Sequence, residues 1–370
     1  MTSAPAVEAH TVRLEALGTS FTVTAASARD AAVVREHWSR LLARATTRPD
    51  LAIDLREVPV EIQARTLLSQ LTMRAIEAAA GTRLMLHAAG VADDQGRVVA
   101  LVGPSGMGKT TAAAYLSQHG FGYVTDETVS VGSVGDVLPF ARPLWLRALT
   151  GEGQRSPDEL GLGRPAETLT IARIILLDRV PEHEDAPTVA AVPLVDALLA
   201  LVPHASALAR LPEPLQFMSR VVDRCGGVLR LTYRQMDDRV ATLASELLAS
   251  EASSPDRWRP LAPHRLHEPA PAGSNDMLFH GAVADGVVTD EGALLLVGDI
   301  PVRLGEIGVA IWEAARDGVA ETEVVSVVEQ EHGSHPAASR IVREAVDQML
   351  EAGLLVRGAV EPSVASSASR

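Results

Sequence analysis

Three observations predict an α/β fold. Short apolar strands alternate with segments of helical spacing over the first two-thirds of the chain. One strand-to-helix junction carries a glycine-rich loop. Beyond a proline-rich stretch, a second and shorter set of strand and helix patterns begins.

Two alternating stretches, Thr11–Leu17 and Ser20–Thr24, flank Gly18 and Thr19 and predict an opening hairpin. Ala28–Ala43 has helical spacing, Leu51–Leu55 predicts a strand, and Glu61–Ala79 predicts a longer helix. Residues 1–80 thus form a small N-terminal α/β lead-in. Apolar strands follow at Leu84–Val91 and Val98–Val102, then the glycine-rich loop, then a helix over Thr110–Gln118 that Gly120 stops. Phe121–Val124 and Thr128–Val131 read as strands on either side of Asp126 and Glu127, with more at Leu144–Leu146 and Ile171–Leu177. Gly151–Pro165, rich in Gly, Pro and charge, reads as a mobile surface loop. Leu194–Leu201, Glu213–Cys225 and Gln235–Ala249 read as helices, with a strand at Val228–Tyr233, and close a core of residues 81–250.

Residues 251–275 hold five prolines and little apolar content, the composition of an interdomain linker. Strand-like pieces at Ala282–Thr289, Ala293–Val297 and Val302-Arg303 precede helical patterns at Glu306–Arg316, Glu321–His332 and Pro336–Ala352, making a compact domain of residues 276–358. The Ser- and Ala-rich tail, residues 359–370, is expected to be disordered.

At 370 residues the chain has room for two or three domains. No apolar run approaches the roughly 18 residues of a membrane span, and Met1–His10 has neither a basic start nor an apolar block, so no membrane association is expected. Cys225 is the only cysteine, which excludes an internal disulfide and fits a reducing compartment, the cytoplasm. A net charge of −14 without a basic cluster argues against nucleic acid as a partner. Of the 33 basic residues, only Lys109 is a lysine. A narrow site fitted to a compact ammonium rejects the wide guanidinium fork that serves elsewhere in the chain.

That lysine lies in Gly103-Pro104-Ser105-Gly106-Met107-Gly108-Lys109-Thr110, which fits the spacing G-x-x-x-x-G-K-[ST] between a strand and a helix start. The chemistry needs this order. Glycines let successive N–H groups turn inward on phosphate oxygens, and the helix N-terminus adds positive charge. Lys109 would then bridge the β- and γ-phosphates, Thr111 would open the helix beside them, and Thr110 would offer its hydroxyl to magnesium. ATP with Mg²⁺ is the expected pair, although the sequence leaves GTP open. Asp126 and Glu127 return to the same sheet edge 17 residues after Lys109, as one metal-binding carboxylate and one base for an acceptor hydroxyl, or else as a solvated acidic turn. His87, inside an apolar strand, reads as a core histidine with satisfied hydrogen bonds more readily than as a catalytic one. Asp237 and Asp238 read as a solvated helix face, and His264, His267, His332 and His335 make no metal set.

The segments Leu86–Val91, Gly103–Thr111 and Thr125–Val129 resemble the catalytic core of the HPr kinase/phosphorylase family, and more closely the HPr-kinase-like enzymes found with ribosomally made peptides, lasso-peptide kinases among them. The resemblance covers about Leu84–Leu146 well and the remainder to Leu248 loosely. It implies a P-loop kinase core of the phosphoenolpyruvate-carboxykinase type, with His87 near the transferred phosphate, Asp126 as base and Glu127 on magnesium. The HPr enzymes have Asp where Glu127 stands, and their later glutamate and arginine signature is not found here. Arg142, in Phe140-Ala141-Arg142-Pro143-Leu144, resembles the Arg-Pro-Leu segment of the peptide-associated kinases, where it either contacts phosphate or ends a turn. The pattern from Leu304 to Glu313 and the ending Met349–Leu355 resemble the PqqD-like winged-helix module. The resemblance implies capture of a leader peptide along an edge strand near Ala293–Val297 or Val302-Arg303. The expected activity is ATP-dependent phosphorylation of a Ser or Thr hydroxyl on a precursor peptide. Two alternatives stand beside it, a nucleotide-gated peptide carrier and a small-molecule kinase. The oligomeric state stays open, a homo-oligomer included.

Overall fold

The computed structural model describes residues 10–43, 51–145, 153–183, 186–251, 257–261 and 276–358. The tail at 359–370, expected to be disordered, lies outside the described residues. The chain forms two compact units. One holds Met1–Pro193, Ala200–Leu211 and Arg220–Pro255, and the other holds Leu194–Leu199, Pro212–Ser219 and Asp256–Arg370.

The first unit opens with the hairpin of β1 (His10–Ala16) and β2 (Thr19–Ala25), to which β3 (Leu51–Asp54) adds in parallel. Helix α1 (Ala28–His37) starts where the Ser27 hydroxyl accepts from Asp30 N. It ends short of the expected Ala43, because Trp38 turns inward to 2% exposure and the chain passes into a 3₁₀ turn at Ser39–Leu41. Leu67 and Leu71 of α2 (Val60–Ala79) meet Leu14, Phe21 and Ile53 in one apolar cluster that also takes in Met85 and Phe140.

The remaining elements of this unit build two sheets. They are β4 (Leu84–Leu86), β5 (Ala88–Ala92), β6 (Arg97–Val102), α3 (Lys109–Gln118), β7 (Gly122–Thr125), β8 (Val129–Val131), β9 (Val137–Leu138), β10 (Thr170–Arg179) and β11 (Thr188–Val192). After α4 (Leu194–Leu201), most of which belongs to the second unit, come β12 (Ala205–Ser206), α5 (Pro214–Arg224), whose first half belongs to the second unit, β13 (Val228–Tyr233) and α6 (Asp238–Ala249). The larger sheet runs β11-β13-β10-β6-β5-β7, with β13, β10 and β6 parallel and the outer strands antiparallel. The run Ile171–Leu177 in β10 is almost wholly apolar because the strand lies between two others with both faces covered. The smaller sheet runs β12-β4-β8-β9.

The strand expected over Leu84–Val91 is two strands. β4 belongs to the small sheet and β5 to the large one, and His87 is the residue between them. The return strand divides in the same way, β7 into the large sheet and β8 into the small, with Asp126, Glu127 and Thr128 between. Every residue of both β4 and β5 is buried, so the hydrophobic pattern carries no trace of the switch.

Leu144 pairs only as an isolated bridge with Arg155, not as the expected strand, and Leu146 lies outside the described residues. The described part of Gly151–Pro165 is packed, in contrast to the mobile surface loop expected from its composition. Ser156 and Leu162 are buried, and Arg40 bonds the carbonyls of Gly163 and Leu162 and pairs with Asp158. Its glycine permits the close approach, since a Cβ on Gly163 would stand 2.3 Å from Phe121 O.

In the second unit, β14 (Trp258–Leu261) lies within the stretch expected to be a linker and pairs with β16 (Asp285–Thr289). Proline does not prevent this, because Pro260 is on an edge strand. The sheet continues through β17 (Gly292–Val297) to β18 (Ile300–Leu304), while β15 (Met277–His280) pairs with β19 (Val319–Ala320) and β20 (Leu355–Arg357). Helices α7 (Glu306–Ala314), α8 (Val324–His332) and α9 (Ala338–Glu351) bury Ile311, Trp312, Val324, Val346 and Met349 in its core. Among the described residues, no helix is long and apolar enough to cross a membrane.

Candidate active site

The phosphate loop joins β6 to α3, as its spacing requires. Gly106 and Gly108 sit at φ 87° and 91°, in the left-handed region, and a Cβ on Gly106 would meet nothing within 4 Å, so the loop faces open space there. Lys109 is the first residue of α3 and is 8% exposed. Its Nζ donates to Gly103 O at 2.7 Å and Pro104 O at 3.3 Å, which leaves one of three ammonium donors for a ligand. Burial lowers its pKa, and the negative Glu127 and Asp126 oppose that fall. Tyr233, at the end of β13, holds the loop from below by donating to Met107 O at 3.0 Å.

The two acids are set by the paired crossings. Ala88 N donates to Glu127 O at 3.1 Å, and Thr125 Oγ1 accepts from the N–H groups of Glu127 and Thr128, fixing the turn between β7 and β8. Asp126 is 4% exposed, and Tyr123 Oη and Arg142 Nε both donate to its Oδ1, at 3.0 and 2.9 Å. Arg142 also reaches Glu127 Oε2 through Nη2 at 2.6 Å, so one guanidinium spans both carboxylates. His87 Nδ1 lies 3.2 Å from Glu127 Oε1. Burial pushes Glu127 up, but His87, Arg142 and Lys109 outweigh it and hold the carboxyl below its ordinary value.

Of the residues singled out in the sequence, the structure therefore gathers Asp126, Glu127, Arg142 and His87 into one bonded cluster, with Lys109 electrostatically coupled to both acids. Arg142 clamps the two acids through Nε and Nη2. The residues fit a nucleotide and its metal on the geometry. The loop presents an open glycine face, and the Thr110 hydroxyl and the Glu127 carboxylate are the oxygens that could serve as the one or two ligands magnesium takes from a protein. Among the described residues, no group of three or more His, Cys, Asp or Glu side chains is placed to hold a metal by itself.

No family model and no curated protein matches this chain. Among the solved structures it is similar to is an HPr(Ser) kinase/phosphatase from Coxiella burnetii. That likeness has a TM-score of 0.24 and 15% identity, over 45% of this chain and 93% of that one.

Three site residues were not found from the sequence. Tyr123 and Tyr233 sit in apolar strands, where an aromatic reads as core, and both are indeed buried, yet each spends its hydroxyl on the site. His204 precedes β12, whose pairing with β4 brings its carbonyl to 2.7 Å from His87 N. Burial lowers the His204 pKa, and the positive Lys109 and His87 lower it further. A two-residue strand beside a 3₁₀ turn has no period from which to place it.

Proposed function

We propose that the chain is an ATP-dependent phosphotransferase acting on a hydroxyl, with a Ser or Thr of a precursor peptide as acceptor and the second unit as the peptide's holder. The observation that carries this reading is the carboxylate cluster beside Lys109. Asp126 has both of its described hydrogen bonds on Oδ1, which leaves Oδ2 as the oxygen that would accept a proton. In transfer, the acceptor oxygen bonds the γ-phosphorus as the bond from phosphorus to the β,γ-bridging oxygen breaks, and the acceptor proton passes to Asp126. Lys109 places its free donor on the phosphate oxygens. Arg142 and Tyr123 keep Asp126 oriented, and His87 stands next to Glu127 on the phosphate side. Thr110 and Glu127 would hold magnesium, which would supply neutralisation of the phosphate charge.

Peptide capture is supported by the order of the second unit's sheet. β17 has a neighbour on each side, whereas β18, with Val302 and Arg303, is an edge strand among the described residues and could pair with an extended chain. Transfer of labelled γ-phosphate to candidate peptides tests the reading, with Asp126→Asn expected to lower kcat about 10²- to 10⁴-fold. An Asp126→Asn enzyme with undiminished transfer would remove the assigned base. ATP hydrolysis without any phosphorylated peptide would make the chain a nucleotide-gated carrier instead.

A further inference from the structure

A cavity of about 430 Å³ lies in the first unit between α1 and α2, and none of its lining residues belongs to the site described above. Its wall is apolar, with Val34, Trp38, Leu55 and Leu67 all buried. Gln154 also lines it, 7% exposed, and among the described residues neither its Oε1 nor its Nε2 has a hydrogen-bond partner. Native folds leave few buried polar atoms unmet, and a carboxamide with both ends unmet inside a cavity is a group waiting for a ligand.

We infer that this cavity binds an apolar residue of a peptide, with a flanking peptide group against Gln154. The carboxamide offers an acceptor and donors side by side, the complement of the N–H and C=O that a peptide backbone presents. The volume lies within the range of about 300–1,000 Å³ typical of ligand pockets, larger than any single side chain needs. Arg29, Asp30 and His37 line it as well, so charges of both signs stand at the cavity. Val33 and Val60 line it too and are 43% and 68% exposed, which carries apolar surface outward from the pocketed residue, where a continuing chain would cover it. The inference does not depend on phosphoryl transfer, because the two sites share no residue.

The full-length protein would be titrated with N-acetyl-leucine N-methylamide, a capped residue carrying both peptide groups, and binding read by saturation-transfer NMR and by the change in tryptophan fluorescence that Trp38 would contribute. Saturable binding is expected, weakened about tenfold by Gln154→Leu, the scale of one lost hydrogen-bonded pair. Gln154→Leu should also raise the melting temperature, since it removes an unmet polar group. Ala64→Trp, at an exposed lining position of α2, should abolish binding with the near-UV circular dichroism retained. The methyl ester in place of the methylamide should bind more weakly. Absence of saturable binding, or binding that both variants leave unchanged, would show a cavity filled by water and overturn the inference. If Gln154→Leu fails to fold, Ala64→Trp and the ester decide.

Discussion

Lys109 spends two donors on the carbonyls of its own loop, and the room around it is set by those contacts. A guanidinium is planar and broader, so Lys109→Arg should keep the fold by circular dichroism and lose at least about 10²-fold in transfer. An Arg variant of ordinary activity would remove the special place given to this lysine. Glu127 makes a second case at this scale. Its carboxyl is held below its ordinary value, so the ionised form contributes stability above the unfolded-state pKa, and that contribution is lost as the pH falls through the lower folded-state value. Urea midpoints should therefore drop on acidification below about pH 4.3, the ordinary Glu value, and Glu127→Gln should flatten that slope. Arg142 cannot be replaced conservatively. Lys offers a point charge where Asp126 and Glu127 take two arms of one fork, and Arg142→Lys should cost on the order of 10²-fold in kcat through misplacement of the base.

At the scale of elements, the end of β13 supports the phosphate loop through a single hydroxyl. Tyr233→Phe keeps the ring in the core and drops the bond to Met107 O, so ATP affinity by calorimetry should fall about five- to tenfold with the fold intact. The placement of elements also shows what the sequence made legible. The loop, its flanking β6 and α3, and the acids on the returning strand could be read, because spacing and periodicity are local properties. The division of Leu84–Val91 at His87 could not, because both pieces are buried on every side and only their partners differ. The packing of 153–165 was hidden for a different reason. Glycine and proline mark irregular backbone, and irregular backbone is packed or free according to contacts with distant residues such as Arg40.

At the scale of the molecule, the C-terminal unit is not one continuous stretch, since Leu194–Leu199 and Pro212–Ser219 belong to it. Asp285 shows why. Fully buried, it accepts from Leu215 N and Gln216 N at the start of α5 with one oxygen, and from Gln216 Nε2 and Gly286 N with the other. Asp285→Ala leaves these donors unmet and should destabilise the protein by about 2–4 kcal/mol, measured by urea unfolding. Deleting residues after Asn275 would strip the same helix start of its cap, so a loss of peptide affinity in that truncation would not separate recognition from folding. Substitutions on the β18 edge are the cleaner probe of peptide capture.

The paired crossings between the two sheets carry a consequence for anyone redesigning this site. His87 occupies one crossing and Asp126 with Glu127 the other, tied by the Ala88–Glu127 backbone bond. An insertion or deletion of one residue in either crossing slips the strand beyond it, and a one-residue slip turns every later side chain to the opposite face. The histidine and the two acids are thus geared together: side chains around them can be changed without moving them, but the backbone that carries them cannot be lengthened.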